Sequence, residues 1–302
     1  MTDVRNRATD LLRAAKADPS TVDLDAVASL LEADAGTDRN SALKVFAAVA
    51  HAEPDRAAER VDLVADRLGD SHLVAQCTAA MVLAQVAEER PGAVEPAVPP
   101  LIELLDEEPP LLRFRAARAL APVAAERPAA FVDYADALVD VFDEGPTVDR
   151  DAPDDEVERA TLGTNQSRGE AAGKDRKRSR RTREVAANLL VEVASDSPDA
   201  LYDRRSALVT LLSDDDEAVR AAVVETFRHL AEADPDAVEP AVDRLIDLLG
   251  DDAEVVRARA VRALGYAEAT GAVPALEALA ESDDGGVAAT AADTAEWLRD
   301  RR

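Results

Sequence analysis

Apolar residues recur along this chain at the spacing of a helix face. Val94, Val98, Leu101, Ile102 and Leu105 form one set, and Leu112, Ala116, Ala119, Leu120 and Val123 a second. Offsets of three, four and seven draw a single apolar stripe on each of two helices. The acidic run Asp106-Glu107-Glu108 separates them, so the chain is expected to fold back there into an antiparallel pair. Acidic side chains just before the second helix suit its unpaired N–H groups and its positive end. The same pattern returns 144 residues later. Both copies contain AVEPAV, then Leu-Ile-acidic-Leu-Leu, then RFRAARAL from Arg113 or RARAVRAL from Arg257. Pro54, Pro91, Pro128, Pro198 and Pro235 mark one point of the repeat, in steps of 37, 37, 70 and 37. The long step is one period plus an insertion of 33. Pro19 lies 35 before the series and Gly271 lies 36 after it. A helix pair of this length cannot bury its stripes alone, so neighbours must stack.

The expected fold is therefore all-α: an α-solenoid, or superhelix, of about seven to eight helix pairs, forming one elongated domain over residues 1–302. Its second helices should end near residues 17, 52, 89, 126, 196, 233, 269 and 299. Aromatics make up only 3% of the chain, so Ala, Val and Leu must fill the interior. In the last helix, Trp297 is expected to cover the final core face. The proline after each second helix stops helix propagation and sets the entry of the next pair.

A second register runs through the repeats. Fifteen residues before each proline stand Arg39, Gln76, Arg113, Arg183 and Arg220, and Arg257 continues the series. An arginine just inside the second helix can reach the acidic turn of its own or the next pair. This predicts an Asp–Arg ladder with Asp215 and Asp252 among its carboxylates. The functional alternative is a row of arginines that binds an anionic ligand.

The paired helices, the acidic turn and the Val-Arg step are clearest in DDDEAVRAAVVETF (214–227) and in GDDAEVVRARAVRALGYAEATGAVPALEALAESDD (250–284). In these features the chain resembles the HEAT-repeat family, and the later segment looks like the short units also found in phycobilin lyases. The resemblance implies a non-enzymatic scaffold or adaptor that binds a protein partner on the concave surface of its array. It also implies an alternative, a phycobilin-lyase-type enzyme acting on a tetrapyrrole. Only Tyr134, Tyr202, Tyr266 and five Phe are available to line such a pocket. HEAT-like di-iron hydroxylases carry adjacent His-Glu pairs. Here His51-Ala52-Glu53 is the nearest approach, and His51, His72 and His229 occupy unrelated repeat positions. No metal, cofactor or catalytic residue is assigned. HEAT-like DNA glycosylases have a basic concave face, whereas acids outnumber bases here.

The formal net charge is −27 and the isoelectric point about 4.4. Lysine occurs only at Lys16, Lys44, Lys174 and Lys177. This balance resembles that of proteins from salt-accumulating halophiles of archaeal type. At ~1 M salt the Debye length is only ~3 Å, so self-repulsion is screened and the acidic surface serves solvation. The competing reading is a surface that binds a basic protein. Acidity argues against the array itself gripping nucleic acid. Cys77 stands alone, which excludes an internal disulfide, and it reads as a small buried thiol. The N-terminal stretch lacks the apolar core of a signal peptide, and no run approaches ~20 apolar residues. The protein is expected to be cytoplasmic.

Between residues 145 and 182 the repeat disappears. Low apolarity, glycine and segregated charge predict a disordered or loosely structured charged insertion. Its end is the one concentrated basic stretch in the chain. Between 168 and 183, Arg168, Lys174, Arg176, Lys177, Arg178, Arg180 and Arg181 stand as candidate partner-binding residues. Three readings apply to this stretch: a solvated loop, a polybasic tether for nucleic acid or an anionic membrane surface, and a segment that docks on the protein's own acidic surface.

Overall fold

The structure, a computed structural model, describes residues 2–142, 165–282 and 286–301, with side chains from residue 7 onward and, after the insertion, from residue 171. Helices account for its regular structure, and no strand occurs among the described residues. The long second helices are α1 (Thr2–Ala17), α2 (Gly36–Ala52), α3 (Leu73–Glu89), α4 (Pro110–Glu126), α5 (Asn165–Asp196), α6 (Glu217–Ala233), α7 (Glu254–Tyr266) and α8 (Val287–Arg299). Between them run shorter first helices, among them Leu24–Leu31, Val98–Glu103, Arg205–Leu211, Val242–Asp247 and Val273–Ser282. This is the α-solenoid architecture that the repeat predicts.

The first helices are broken by 3-10 turns such as Glu95–Ala97 and Pro235–Ala241. Pro96 and Pro240 sit inside those turns, where a ring without an N–H interrupts the α-helical ladder. The second helices have fewer such interruptions. Asp216 caps α6 by accepting the Ala218 N–H at 2.9 Å, and the His72 ring caps α3 at Ala75 N.

The chain divides into two compact bodies. The first comprises Met1–Ala130 and Glu144–Val185, and the second Phe131–Asp143 and Ala186–Arg302. Helix α5 therefore contributes its first part to one body and its remainder to the other. In the first body α2 packs between α1 and α3, and α3 packs on α4. In the second body α7 packs between α6 and α8. Leu43, Phe46, Leu83 and Leu120 lie in the first core, and Phe227, Leu230 and Leu264 in the second. Alanines at the helix contacts, among them Ala79, Ala80, Ala116 and Ala117, are fully buried. Small residues there let the helix axes approach. At Gly36 the approach is closest: an added Cβ would stand 2.3 Å from the His72 Cβ.

One feature adds to the sequence reading and one differs from it. Residues 145–164 of the insertion lie outside the described residues, and 165–182 form the beginning of α5. Arg, Lys, Ala and Glu dominate there, and all have good helix propensity. Arg178 pairs with Asp175 at 2.8 Å, Arg180 with Glu184 at 3.1 Å and Arg181 with Glu184 at 2.7 Å, all one turn apart. Elongating an existing helix avoids a new nucleation cost. The second feature is Trp297, which is 42% exposed rather than covering the core, with Arg301 stacked 4.0 Å from its ring centre. Ala291, Ala295 and Leu298 form the buried stripe of α8, and Trp297 falls off it.

Candidate functional site: the face of the second helices

The arginine register holds the turns together. Arg39 grips Asp70 through Nε and Nη2 at 2.6 and 2.7 Å, and donates from Nη1 to the Ala33 and Asp34 carbonyls. Arg220 does the same with Asp251 at 2.8 and 2.9 Å, and with the Asp214 and Asp215 carbonyls. Arg257 donates to the carbonyls of Asp251 and Asp252. Arg113, buried, reaches Glu108 at 2.7 Å. Gln76 replaces arginine and donates to the Leu68 carbonyl at 2.7 Å. Arg183 lies half-buried on α5. Asp215 and Asp252 thus contribute backbone carbonyls, and the carboxylate that closes the Arg220 fork is Asp251.

The Arg39 hydrogen bond, with the His72 N–H and nearby arginine charge, holds the Asp70 carboxyl below its usual range against burial. At Asp251 burial pushes upward, but the Arg220 bond, the Ala253 N–H and the charges of Arg220 and Arg257 outweigh it. Both pairs lie between adjacent turns, so this row is occupied by its own carboxylates.

The partly exposed ridge beside that row is different. Besides the ladder residues Arg113 and Arg257, helix α4 carries the half-buried Arg115 and the exposed Arg118, and α7 the half-buried Arg259 and the exposed Arg262, with no carboxylate between them in either helix. Arg115 donates from Nη1 to the Cys77 carbonyl on α3 at 2.8 Å, and Arg259 donates to the Ala221 carbonyl on α6 at 2.8 Å. Each arginine bridges to the preceding second helix.

In the second body this ridge is a closed polar network. Arg228 pairs with Glu225 at 2.6 Å and Glu232 at 2.8 Å, and lies 5.4 Å from the centre of the exposed Tyr266 ring. Arg259 adds a contact to Glu225 at 3.7 Å. Burial would raise the Glu225 carboxyl, but the Arg228 hydrogen bond and the charges of Arg228, Arg259 and Arg262 hold it below its usual range. His229 is pushed down by burial and by Arg228, against Glu225 and Glu232, which favours the neutral ring.

In the first body Glu88 takes Arg118, and among the described residues Arg115 has no carboxylate. Burial lowers the Arg115 guanidinium, and the charges of Arg178 and Arg118 push the same way. Burial raises the Cys77 thiol, with Arg115 and Arg178 opposing. Arg178 therefore stands near enough for its charge to act on both residues. Along α3, Val74, Cys77 and Met81 share one face at offsets of three and four, and Leu73 and Val74 are 45% and 53% exposed.

Of the basic stretch, Lys174, Arg176, Lys177, Arg180 and Arg181 are exposed and Arg178 is half-buried. The Arg168 side chain lies outside the described residues. The structure places Arg178 where its charge acts on Arg115 and Cys77, a proximity with no signal in the local sequence. Among the described residues no group of His, Cys, Asp and Glu is arranged to hold a metal ion, and no helix is long and apolar enough to cross a membrane.

Comparisons with known proteins agree with this architecture. Among solved structures, an engineered protein is similar with a TM-score of 0.68 and 22% identity, over 97% of this chain and 74% of that one. A computationally designed armadillo repeat protein for modular peptide recognition is similar with a TM-score of 0.59 and 20% identity, over 79% of this chain and 99% of that one. No curated protein matches the sequence. The family model described as HEAT repeat matches residues 205–233 and that described as HEAT repeats matches 242–302. Over these two stretches the chain is similar to HEAT repeats, in agreement with the stacked helix pairs.

Proposed function

We propose that the protein is a non-enzymatic scaffold or adaptor that receives a protein partner on the face of its second helices. The observation that carries this is the charge of that face. In a chain of net charge −27, α4 and α7 each add two arginines beside the ladder row, Arg115 and Arg118 on one and Arg259 and Arg262 on the other, with no intervening carboxylate. A rigid array sets the spacing of such anchors, and a few of them dominate binding energy. The solved armadillo protein designed for peptide recognition lends support as a similar fold with such a use. In this reading the acidic residues elsewhere keep the protein solvated in a salt-rich cytoplasm, as in halophiles.

The test is affinity capture in ~1 M KCl, where the Debye length is ~3 Å and loose ionic contacts fade. Arg259→Glu and Tyr266→Ala, on the ridge, should each lose the partner band that the wild type captures. Glu103→Ala and Asp243→Ala, on the first helices, should keep it. Loss of the band with the first-helix variants alone would overturn the assignment of the face.

A second reading has its own observation. The start of α5 exposes Lys174, Arg176, Lys177, Arg180 and Arg181 together, the pattern of a polybasic tether for nucleic acid. Mobility shifts with single-stranded RNA should then weaken steeply with salt and vanish when these five residues become Gln. A phycobilin-lyase-type activity would instead show itself as tetrapyrrole absorbance in the purified protein.

A further inference from the structure

Arg115 and Arg259 are the same residue of the repeat, 144 positions apart, and so are the carbonyls they bind, those of Cys77 and Ala221. Their surroundings differ in the residues that build the second-body network: Glu225, Arg228, His229 and Tyr266 stand where the first body has Met81, Ala84, Gln85 and Pro122. Glu225, 3.7 Å from Arg259, supplies a carboxylate to the second-body arginine. The residue 144 before Glu225 is Met81, a half-buried thioether with no charge to offer. Among the described residues Arg115 has no carboxylate partner, and its one hydrogen bond goes to a backbone carbonyl. Arg118 and Arg178, the two guanidiniums closest to it in effect, are already held by Glu88 and Asp175. A half-buried guanidinium without a counter-charge, beside two like charges, is an unfavourable arrangement that an incoming anion relieves. The planar fork of arginine matches a carboxylate in particular.

The neighbours of Arg115 say what else the ligand carries. On α3, Val74 and Met81 lie on the same face as Cys77, whose carbonyl Arg115 holds, and Val74 with Leu73 stands open to solvent. One unmatched cation beside an apolar row fits a carboxylate flanked by aliphatic side chains. It does not fit a run of phosphates, which requires several unpaired cations in line and is repelled by the charge of the whole protein. We infer that the Arg115 corner of the first body, with Val74 and Met81 beside it, binds an acidic segment of a partner protein in which Asp or Glu is flanked by Leu, Val or Ile. This rests on the reading that the second-helix face binds protein, and it names the chemistry of that partner.

The experiment is selection of a displayed random-peptide library on the full-length protein in ~1 M KCl, followed by fluorescence anisotropy with an enriched peptide. The expected enrichment is for acidic residues next to aliphatic ones. Replacing the acidic residue of that peptide by its amide should weaken binding by about tenfold or more, the scale of ~1.4 kcal/mol. Arg115→Ala should abolish binding, but it also removes the bond to the Cys77 carbonyl and could disturb the fold. Met81→Glu avoids that ambiguity, because it leaves the Cys77 carbonyl bond untouched and places a carboxylate at the position from which Glu225 reaches Arg259 in the second body. It should weaken the peptide about tenfold or more while leaving the thermal midpoint unchanged or raised. Enrichment of basic or purely apolar peptides would overturn the inference, and so would no enrichment, equal binding of the amide peptide, or indifference to Met81→Glu. Displacement of the peptide by a single-stranded RNA that binds more tightly through Arg115 would also overturn it, in favour of nucleic acid. If Met81→Glu has no effect while Arg259→Glu still loses the captured partner, this site fails and the scaffold reading stands.

Discussion

Arg220 and Asp251 are joined by two parallel hydrogen bonds of 2.8 and 2.9 Å between the turns of adjacent repeats. Only 16% of the Arg220 side chain and 7% of the Asp251 side chain reach solvent. The third nitrogen of Arg220 holds the Asp214 carbonyl, so one side chain ties two turns. Arg220→Ala would leave a buried carboxylate without its partner, an outcome that costs about 3–5 kcal/mol. Arg220→Lys should recover less than half of that, because an ammonium cannot reproduce the fork. Urea unfolding of the two variants measures the difference. Arg39→Ala should behave alike, since Arg39 and Asp70 share the geometry.

The same pairs set an acid dependence. Asp70 and Asp251 are held below their usual pKa in the folded protein, while the unfolded value is about 3.9. A depressed folded pKa contributes stability that is fully present above the unfolded value and is lost as pH falls through the folded one. In Arg220→Ala burial raises the Asp251 carboxyl with no arginine to oppose it, so the gap in unfolding free energy between wild type and variant should be largest near neutral pH and shrink progressively on acidification. Urea titrations from neutral pH downward check it. A gap that widened on acidification would mean that the pair does not act in this way.

Gly36 makes a steric prediction. The first turn of α2 meets the His72 side chain so closely that a Cβ would stand 2.3 Å from the His72 Cβ. Ala at a helix position normally gains about 0.5–1 kcal/mol over Gly. Overpacking of this severity typically costs about 1–3 kcal/mol, so Gly36→Ala should be net destabilising. Gly271→Ala is the control: nothing lies within 4 Å of its added Cβ. Thermal melts should show a lowered midpoint for the first and no significant fall for the second.

Much of this architecture is legible in the sequence because stacking copies one local pattern at a fixed period. The prolines at 54, 91, 128, 198 and 235 begin first-helix segments in the structure, and the second helices α2 to α6 end just before them. The arginine register is legible for the same reason. Its carboxylate partner is not, because Asp251 and Asp252 are neighbours in sequence and only the geometry of the turn decides which one faces Arg220. The start of α5 is hidden by composition, since Gly and like charges suggest a loose chain while the pairs to Asp175 and Glu184 act only once the helix exists. The contrast between Met81 and Glu225 sits in plain view at the 144-residue offset. It becomes a signal only when Arg115 and Arg259 are known to reach toward the preceding helix.

Salt should act on this protein through its uncompensated surface acids and spare its buried pairs. In the first body Asp55, Glu59, Glu89 and Glu126 line an open cleft of about 700 Å³ with a single cation, Arg90, which is committed to Asp55. At ~0.01 M salt the Debye length is ~30 Å, so these carboxylates and the net charge of −27 repel one another across the whole molecule. At ~1 M it is ~3 Å and the repulsion is confined to near neighbours. The thermal midpoint of the wild type should therefore rise steeply with KCl and then level off. Glu59→Gln and Glu89→Gln, each removing one exposed charge from the cleft, should raise the midpoint at low salt and leave it unchanged near 1 M. Arg220→Ala should lower it by a similar amount at every salt concentration, because a desolvated pair is little screened. A midpoint independent of salt in the wild type would show that surface repulsion does not limit this fold.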